Sequence, residues 1–137
     1  VGGPQAGAGA APAGILGVTV LTSHDSASLA RIGVGRSPGK LVARMAKVAA
    51  AAGCEGVVSS PKELTVVADV APGLLKVTPG IRTVDRDDDQ ARTMTPAEAV
   101  RRGADLLVVG RPITAAPDPE GAAATIAAEI KEAGTSH

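Results

Sequence analysis

The chain contains no Phe, Tyr or Trp in 137 residues, only one Cys, and no excess of either charge: 14 Lys and Arg stand against 14 Asp and Glu. Without aromatic rings there are no stacking platforms of the kind that single-strand and RNA readers use. Without a net basic field, general nucleic-acid affinity has no basis. With Cys54 alone, no intramolecular disulfide can form, which favours a cytoplasmic setting; Cys54 itself reads as a small core residue rather than a nucleophile. No apolar run approaches the ~20 residues of a membrane span. Segment 1–14 is rich in Gly, Ala and Pro, is uncharged, and lacks the basic start of a secretory signal, so it reads as a flexible loop. No Met stands at position 1, and the chain is expected to begin within something larger.

What is present is 45% hydrophobic and 20% charged, the profile of a globular domain. The core must be filled by Val, Leu, Ile and Ala, with the two Met as gap-fillers. Four short apolar segments, Ile15–Leu21, Gly56–Ser59, Leu74–Thr78 and Leu106–Val109, read as strands of a parallel sheet buried on both faces. Between them, Ser37-Pro38, Ser60-Pro61, Thr95-Pro96 and Asp118-Pro119 mark helix starts, each a capping side chain followed by proline at the first helical position. Glu63 and Glu98 complete two expected capping boxes. In the helix from Pro38, an apolar stripe of Leu41, Val42, Met45, Val48, Ala49 and Ala52 opposes Lys40, Arg44 and Lys47, and Gly53 ends the helix. The last helix runs from Pro119 to about Ala133 around Ile126 and Ile130.

Residues 15–133 therefore form four βα units in one domain spanning 1–137. Periodicity leaves two architectures open: a small doubly wound sheet, or part of a (β/α)₈ barrel, which in full takes ~250 residues. In either, ligands bind at the carboxyl ends of the strands. After the first strand lie Thr22, Ser23, His24 and Asp25; after the second, Ser59 and Ser60. The third is followed by Thr78-Pro79-Gly80-Ile81-Arg82 and the acidic run Asp85–Asp89, the fourth by Gly110-Arg111-Pro112-Ile113. Gly110 permits close approach to the backbone, and Arg111 offers a fork of donors matching a phosphate. The acidic run lacks the Gly and distal Glu of a calcium loop and reads as a solvated loop, so no metal site is expected. His24 has no positioned nucleophile and reads as solvent-exposed.

Taken together, Val18-Thr19-Val20-Leu21-Thr22-Ser23, Gly56-Val57-Val58-Ser59-Ser60, Val77-Thr78-Pro79-Gly80-Ile81-Arg82, Asp88-Asp89-Gln90 with Arg92, Thr95-Pro96, Gly103-Ala104-Asp105 and Val108-Val109-Gly110-Arg111-Pro112-Ile113 resemble, in this order, the C-terminal half of orotidine 5′-phosphate decarboxylase. The resemblance covers about Ile15 to Ile130. It implies an α/β fold of parallel (β/α) repeats corresponding to strands 5–8 of a TIM (β/α)₈ barrel. It also implies a lyase of pyrimidine biosynthesis that converts orotidine 5′-phosphate to UMP without a cofactor, and pairing of barrels into a homodimer. By position, Thr22 would contact the pyrimidine, Gln90 would bridge base and phosphate, Gly110 and Arg111 would hold the phosphate, and Arg82 would lie in the loop covering it.

The family's Lys and Asp catalytic network, centred on Asp-x-Lys-x-x-Asp, does not occur in the sequence: neither Asp69 nor Asp105 is followed by lysine two residues on. The expectation is a binding half without catalytic residues, inactive alone, with two open sheet edges and apolar side chains facing an absent half. The competing readings are a non-catalytic nucleotide-phosphate-binding half-barrel and another sugar-phosphate barrel enzyme, which would have no base to grip.

Overall fold

The computed structural model describes residues 14–20, 26–35, 37–82 and 94–134. Four strands, β1 (Leu16–Val18), β2 (Gly56–Val58), β3 (Leu75–Thr78) and β4 (Leu106–Leu107), form one sheet in the order β1-β2-β3-β4, every pair parallel. Parallel neighbours need crossovers, and the chain supplies them as α1 (Ser26–Arg31) with α2 (Pro38–Ala51), α3 (Leu64–Val70) and α4 (Pro96–Arg101). A short α5 (Arg111–Thr114) and a long α6 (Pro119–Gly134) follow β4.

The expected helix starts are all present, though they are built differently. Thr95 makes a complete capping box with Glu98. Asp118 accepts from the Gly121 N–H at 3.0 Å. Ser37 occupies the cap of α2 without a side-chain bond. Ser60 accepts from Lys62 N–H and opens a 3₁₀ turn, Pro61–Glu63, ahead of α3, so the second expected box does not form. Gly53 ends α2 with φ of 80°, a conformation open to glycine at little cost.

Among the described residues, the helices cover one face of the sheet only. On that face Val57 is fully buried with Val42, Ala46, Ala49, Val67, Ala71 and Leu74. A second cluster joins Ile81, Met94 and Ala99 to Leu107 and Val109. The opposite face bares Leu16, Val18, Leu75, Leu106 and Val108, each at least 42% exposed. The expectation of strands buried on both sides is therefore corrected: an unbroken apolar run records two apolar faces, and only one of them is covered here. The open-faced half-barrel expectation agrees with what is seen.

The α2 stripe divides for a related reason. Val42 and Ala49 turn into the core, whereas Val48 and Ala52 are exposed and Leu41 and Met45 only partly covered, because they look past β1, the outermost strand.

The bare face is tightly built around Gly56. A methyl group there would sit 2.6 Å from the Leu75 carbonyl oxygen and 2.9 Å from a Leu16 methyl. Gly56→Ala is expected to cost roughly 1–3 kcal/mol by overpacking, measured by urea unfolding. Gly73→Ala, where nothing lies within 4 Å, serves as the control and should stay within about 0.5 kcal/mol.

Candidate functional site

The carboxyl ends of β3 and β4 lie side by side because Thr78 pairs with Leu107. Beyond Thr78 the chain turns at Pro79-Gly80, and Gly80 has φ of 80°, a left-handed conformation that disfavours any side chain. Ile81 then forms a parallel bridge with Met94, and the Arg82 N–H donates to the Met94 carbonyl at 3.1 Å. This clamp fixes the backbone carrying Arg82 just where the chain leaves the sheet. From β4, Val108 donates its N–H to the Thr78 carbonyl, and two residues later Gly110 precedes Arg111 at the first position of α5.

The two turns enclose an open cavity of about 610 Å³, lined by Pro79, Gly80, Ile81, Arg82, Val108, Gly110, Arg111 and Pro112. Arg82 is half-buried and Arg111 exposed. A methyl group on Gly110 would meet no atom within 4 Å, so packing does not require glycine there, and the space above its backbone is free for a ligand. Among the described residues the lining carries two guanidinium groups and no acid, lysine, histidine or cysteine. It can attract and orient an anionic group, and none of the described lining residues is suited to proton transfer or nucleophilic attack.

Of the expected site residues, the structure gathers Arg82, Gly110 and Arg111 around one cavity. Thr22 and Gln90 lie outside the described residues, as do His24 and the Asp85–Asp89 run. Ser59 and Thr78 are 1% and 0% exposed, and their hydroxyls have no hydrogen-bond partner among the described residues. Ser59 continues the strand alternation beyond Val58 onto the helix-covered side, away from the bare face. Cys54 is partly buried and packs against the first core cluster, as a small core residue would. No group of three or more His, Cys, Asp or Glu among the described residues could hold a metal ion. No helix among them is long and apolar enough to cross a membrane.

Residues 4–126 match the orotidine 5′-phosphate decarboxylase / HUMPS family. The chain belongs to that family. It is 54% identical over 122 residues to the orotidine 5′-phosphate decarboxylase of Halorhodospira halophila, an overlap covering 88% of this chain and 52% of the relative. It is 52% identical over 118 residues to that of an Anaeromyxobacter species, covering 85% and 52%. Among solved structures, the orotidine 5′-phosphate decarboxylase of Lactobacillus acidophilus superposes with a TM-score of 0.74 at 34% identity, covering 90% of this chain and 52% of that one. The chain thus spans about half the length of the relatives it matches, and its four parallel βα units are half of the family's barrel.

One ion pair was not foreseen from the sequence. Lys76 Nζ lies 2.7 Å from Asp105 Oδ2, and the same carboxylate accepts from the Lys76 N–H at 2.8 Å. The partners are 29 residues apart, so no local spacing signals them. Asp105 precedes β4 and Lys76 sits early in β3, placing the pair at the amino end of the sheet, opposite the cavity. Burial raises the Asp105 carboxyl, but the hydrogen bonds and charge of Lys76 outweigh it and hold the group below its usual value. A depressed folded-state pKa stabilises the fold above the unfolded value of about 3.9, and that contribution disappears as pH falls through the folded pKa. Below about pH 4, Asp105→Asn should show a shallower loss of stability with acid than the parent chain, as read from urea midpoints across a pH series.

Proposed function

We propose that this chain provides the phosphate-gripping half of an orotidine 5′-phosphate decarboxylase. The single observation that supports it most is the convergence of Arg82 and Arg111 beside the open backbone of Gly110, at the carboxyl ends of two adjacent strands. In this reading Arg111 pairs bidentately with the substrate phosphate and the Gly110 backbone permits its close approach. Arg82 adds charge from the clamped base of the covering loop. Thr22 contacts the pyrimidine, and Gln90 joins base to phosphate.

These contacts are remote from the bond that breaks. Their role is to hold the substrate so that binding energy can be applied at the reacting carbon. The lysine that would protonate the developing carbanion, and the aspartates around the leaving carboxylate, have no counterpart in this sequence. The residues of this chain therefore bind and orient, and the bond-breaking groups must come from elsewhere. The same reading makes residues 15–133 part of one barrel domain, requires no cofactor, places the protein in the cytoplasm, and has complete barrels pairing as a homodimer.

Isothermal titration with UMP tests the reading. Arg111→Ala should weaken binding roughly 10- to 150-fold, the equivalent of about 1.5–3 kcal/mol for a hydrogen bond to a charged group. Arg111→Lys should fall between, since a point charge replaces a fork. Affinity untouched by Arg111→Ala would remove the proposed site. Equal affinity for UMP and ribose 5-phosphate would point instead to a sugar-phosphate enzyme. The chain alone should leave orotidine 5′-phosphate unconverted in an absorbance assay, and turnover would show that catalysis does not need the Lys and Asp network.

A further inference from the structure

The donors at the start of α4 can be accounted for one by one. Pro96, at the first helical position, has no N–H to satisfy. The Glu98 N–H donates to the Thr95 hydroxyl at 3.2 Å, and the Glu98 carboxylate takes the Thr95 N–H at 3.1 Å. The Ala99 N–H reaches the Thr95 carbonyl at 3.0 Å and begins the helical ladder. That leaves the Ala97 N–H. Ala97 is buried, so this donor is turned away from water and needs a partner within the protein. Glu129 of α6 supplies it, its Oε1 accepting at 3.1 Å across 32 residues of chain.

The spacing of α6 aims Glu129 at that donor. Ile126 and Ala133, three residues before it and four after, share its side of the helix, and both are buried. Glu129 is the one charged group among these three, and a negative charge is favoured at a helix start. Helix α6 packs against α4 and also touches α5, which begins with Arg111. Three residues before Ala97 stands Met94, whose carbonyl accepts from the Arg82 N–H. The Met94 side chain joins Ile81 and Ala99 in the core cluster against which Leu107 and Val109 pack, on the segment that leads to Arg111. One polar contact from α6 therefore lies close along the chain to the group that holds Arg82, while the same helix abuts the turn that carries Arg111.

We infer that Glu129 is a positioning residue for the cavity: by holding the start of α4 it fixes Met94, and through the Met94 carbonyl it sets the backbone of Arg82 beside the same cavity as Arg111. The inference rests on the reading of that cavity as a phosphate site. Glu129 is not part of the lining and acts only through Ala97, Met94 and Arg82. Without its carboxylate the Ala97 N–H is left buried and unpaired, a cost the helix start relieves by shifting toward water. Such a shift carries Met94 with it and moves Arg82. Two guanidinium groups share one phosphate only when their spacing matches it, so a small displacement of one weakens the grip of both.

Titration of UMP into the chain tests the link, with urea midpoints and amide NMR spectra recorded beside it. Glu129→Ala should weaken affinity roughly 2- to 30-fold, and should move the amide resonances of Met94, Arg82 and Arg111 in the ligand-free chain. Glu129→Gln keeps an acceptor oxygen and should recover most of the affinity and the parent amide positions. Ile126→Val removes one buried methyl from the same helix; it should lower the urea midpoint while leaving the affinity and the Arg82 amide where they were. If Glu129→Ala and Ile126→Val lower the midpoint alike and neither changes affinity, Glu129 serves packing alone and the inference is overturned. A Gln variant that binds as poorly as the Ala variant overturns it too. The amide shifts need no ligand, so the two possible failures are distinguishable. Affinity indifferent to Arg111→Ala removes the phosphate site, whereas an Arg82 amide indifferent to Glu129→Ala removes the link.

Discussion

A parallel strand cannot be joined to its neighbour by a tight turn, and that restriction governs the whole molecule. Each of the four strands has to be followed by a crossing segment that returns the chain to the starting edge. Right-handed crossovers taken in the same sense place every helix on one side of the sheet. The strand order β1-β2-β3-β4 follows from this, as does the alignment of all four carboxyl ends along one rim. Arg82 and Arg111 meet on that rim, although 28 residues separate them in the chain, because β3 and β4 are neighbours.

The same arrangement divides labour between the two rims. At the carboxyl end the backbone opens into turns, with two guanidinium groups around an open cavity. At the amino end Lys76 and Asp105 tie β3 to the start of β4 through both side chain and main chain. Arg111 at the carboxyl rim is exposed, while the charges of Lys76 and Asp105 at the amino rim are spent on each other. The division fits a barrel in which one end binds and the other holds the strands together.

What could be read from the sequence depended on how locally each feature is encoded. Helix starts were legible because a capping side chain and a proline act within one turn, and four of four were found. Even so, Ser60 reaches Lys62 rather than Glu63, since the chain tightens into a 3₁₀ turn to bring Leu64 into the core. Burial on a particular face was not legible, because Leu16 and Val57 are equally apolar and only the layer above them differs. The α2 stripe shows the same limit: Val42 and Val48 look alike in sequence, but only Val42 lies beneath a neighbour. Gly110 and Arg111 stood out as a phosphate-compatible turn, while the place of Arg82 beside them came from the resemblance to a family. The Lys76–Asp105 pair had no signature at all.

The clamp between Ile81 and Met94 separates the geometry of the cavity from the chain that lies between them. Because Arg82 is held by the Met94 carbonyl, its position is set by the sheet and not by what connects residues 83–93. Closing a longer segment across a fixed base costs little, growing only with the logarithm of its length. That connection can therefore lengthen, shorten or change composition while the backbone position of Arg82 stays put.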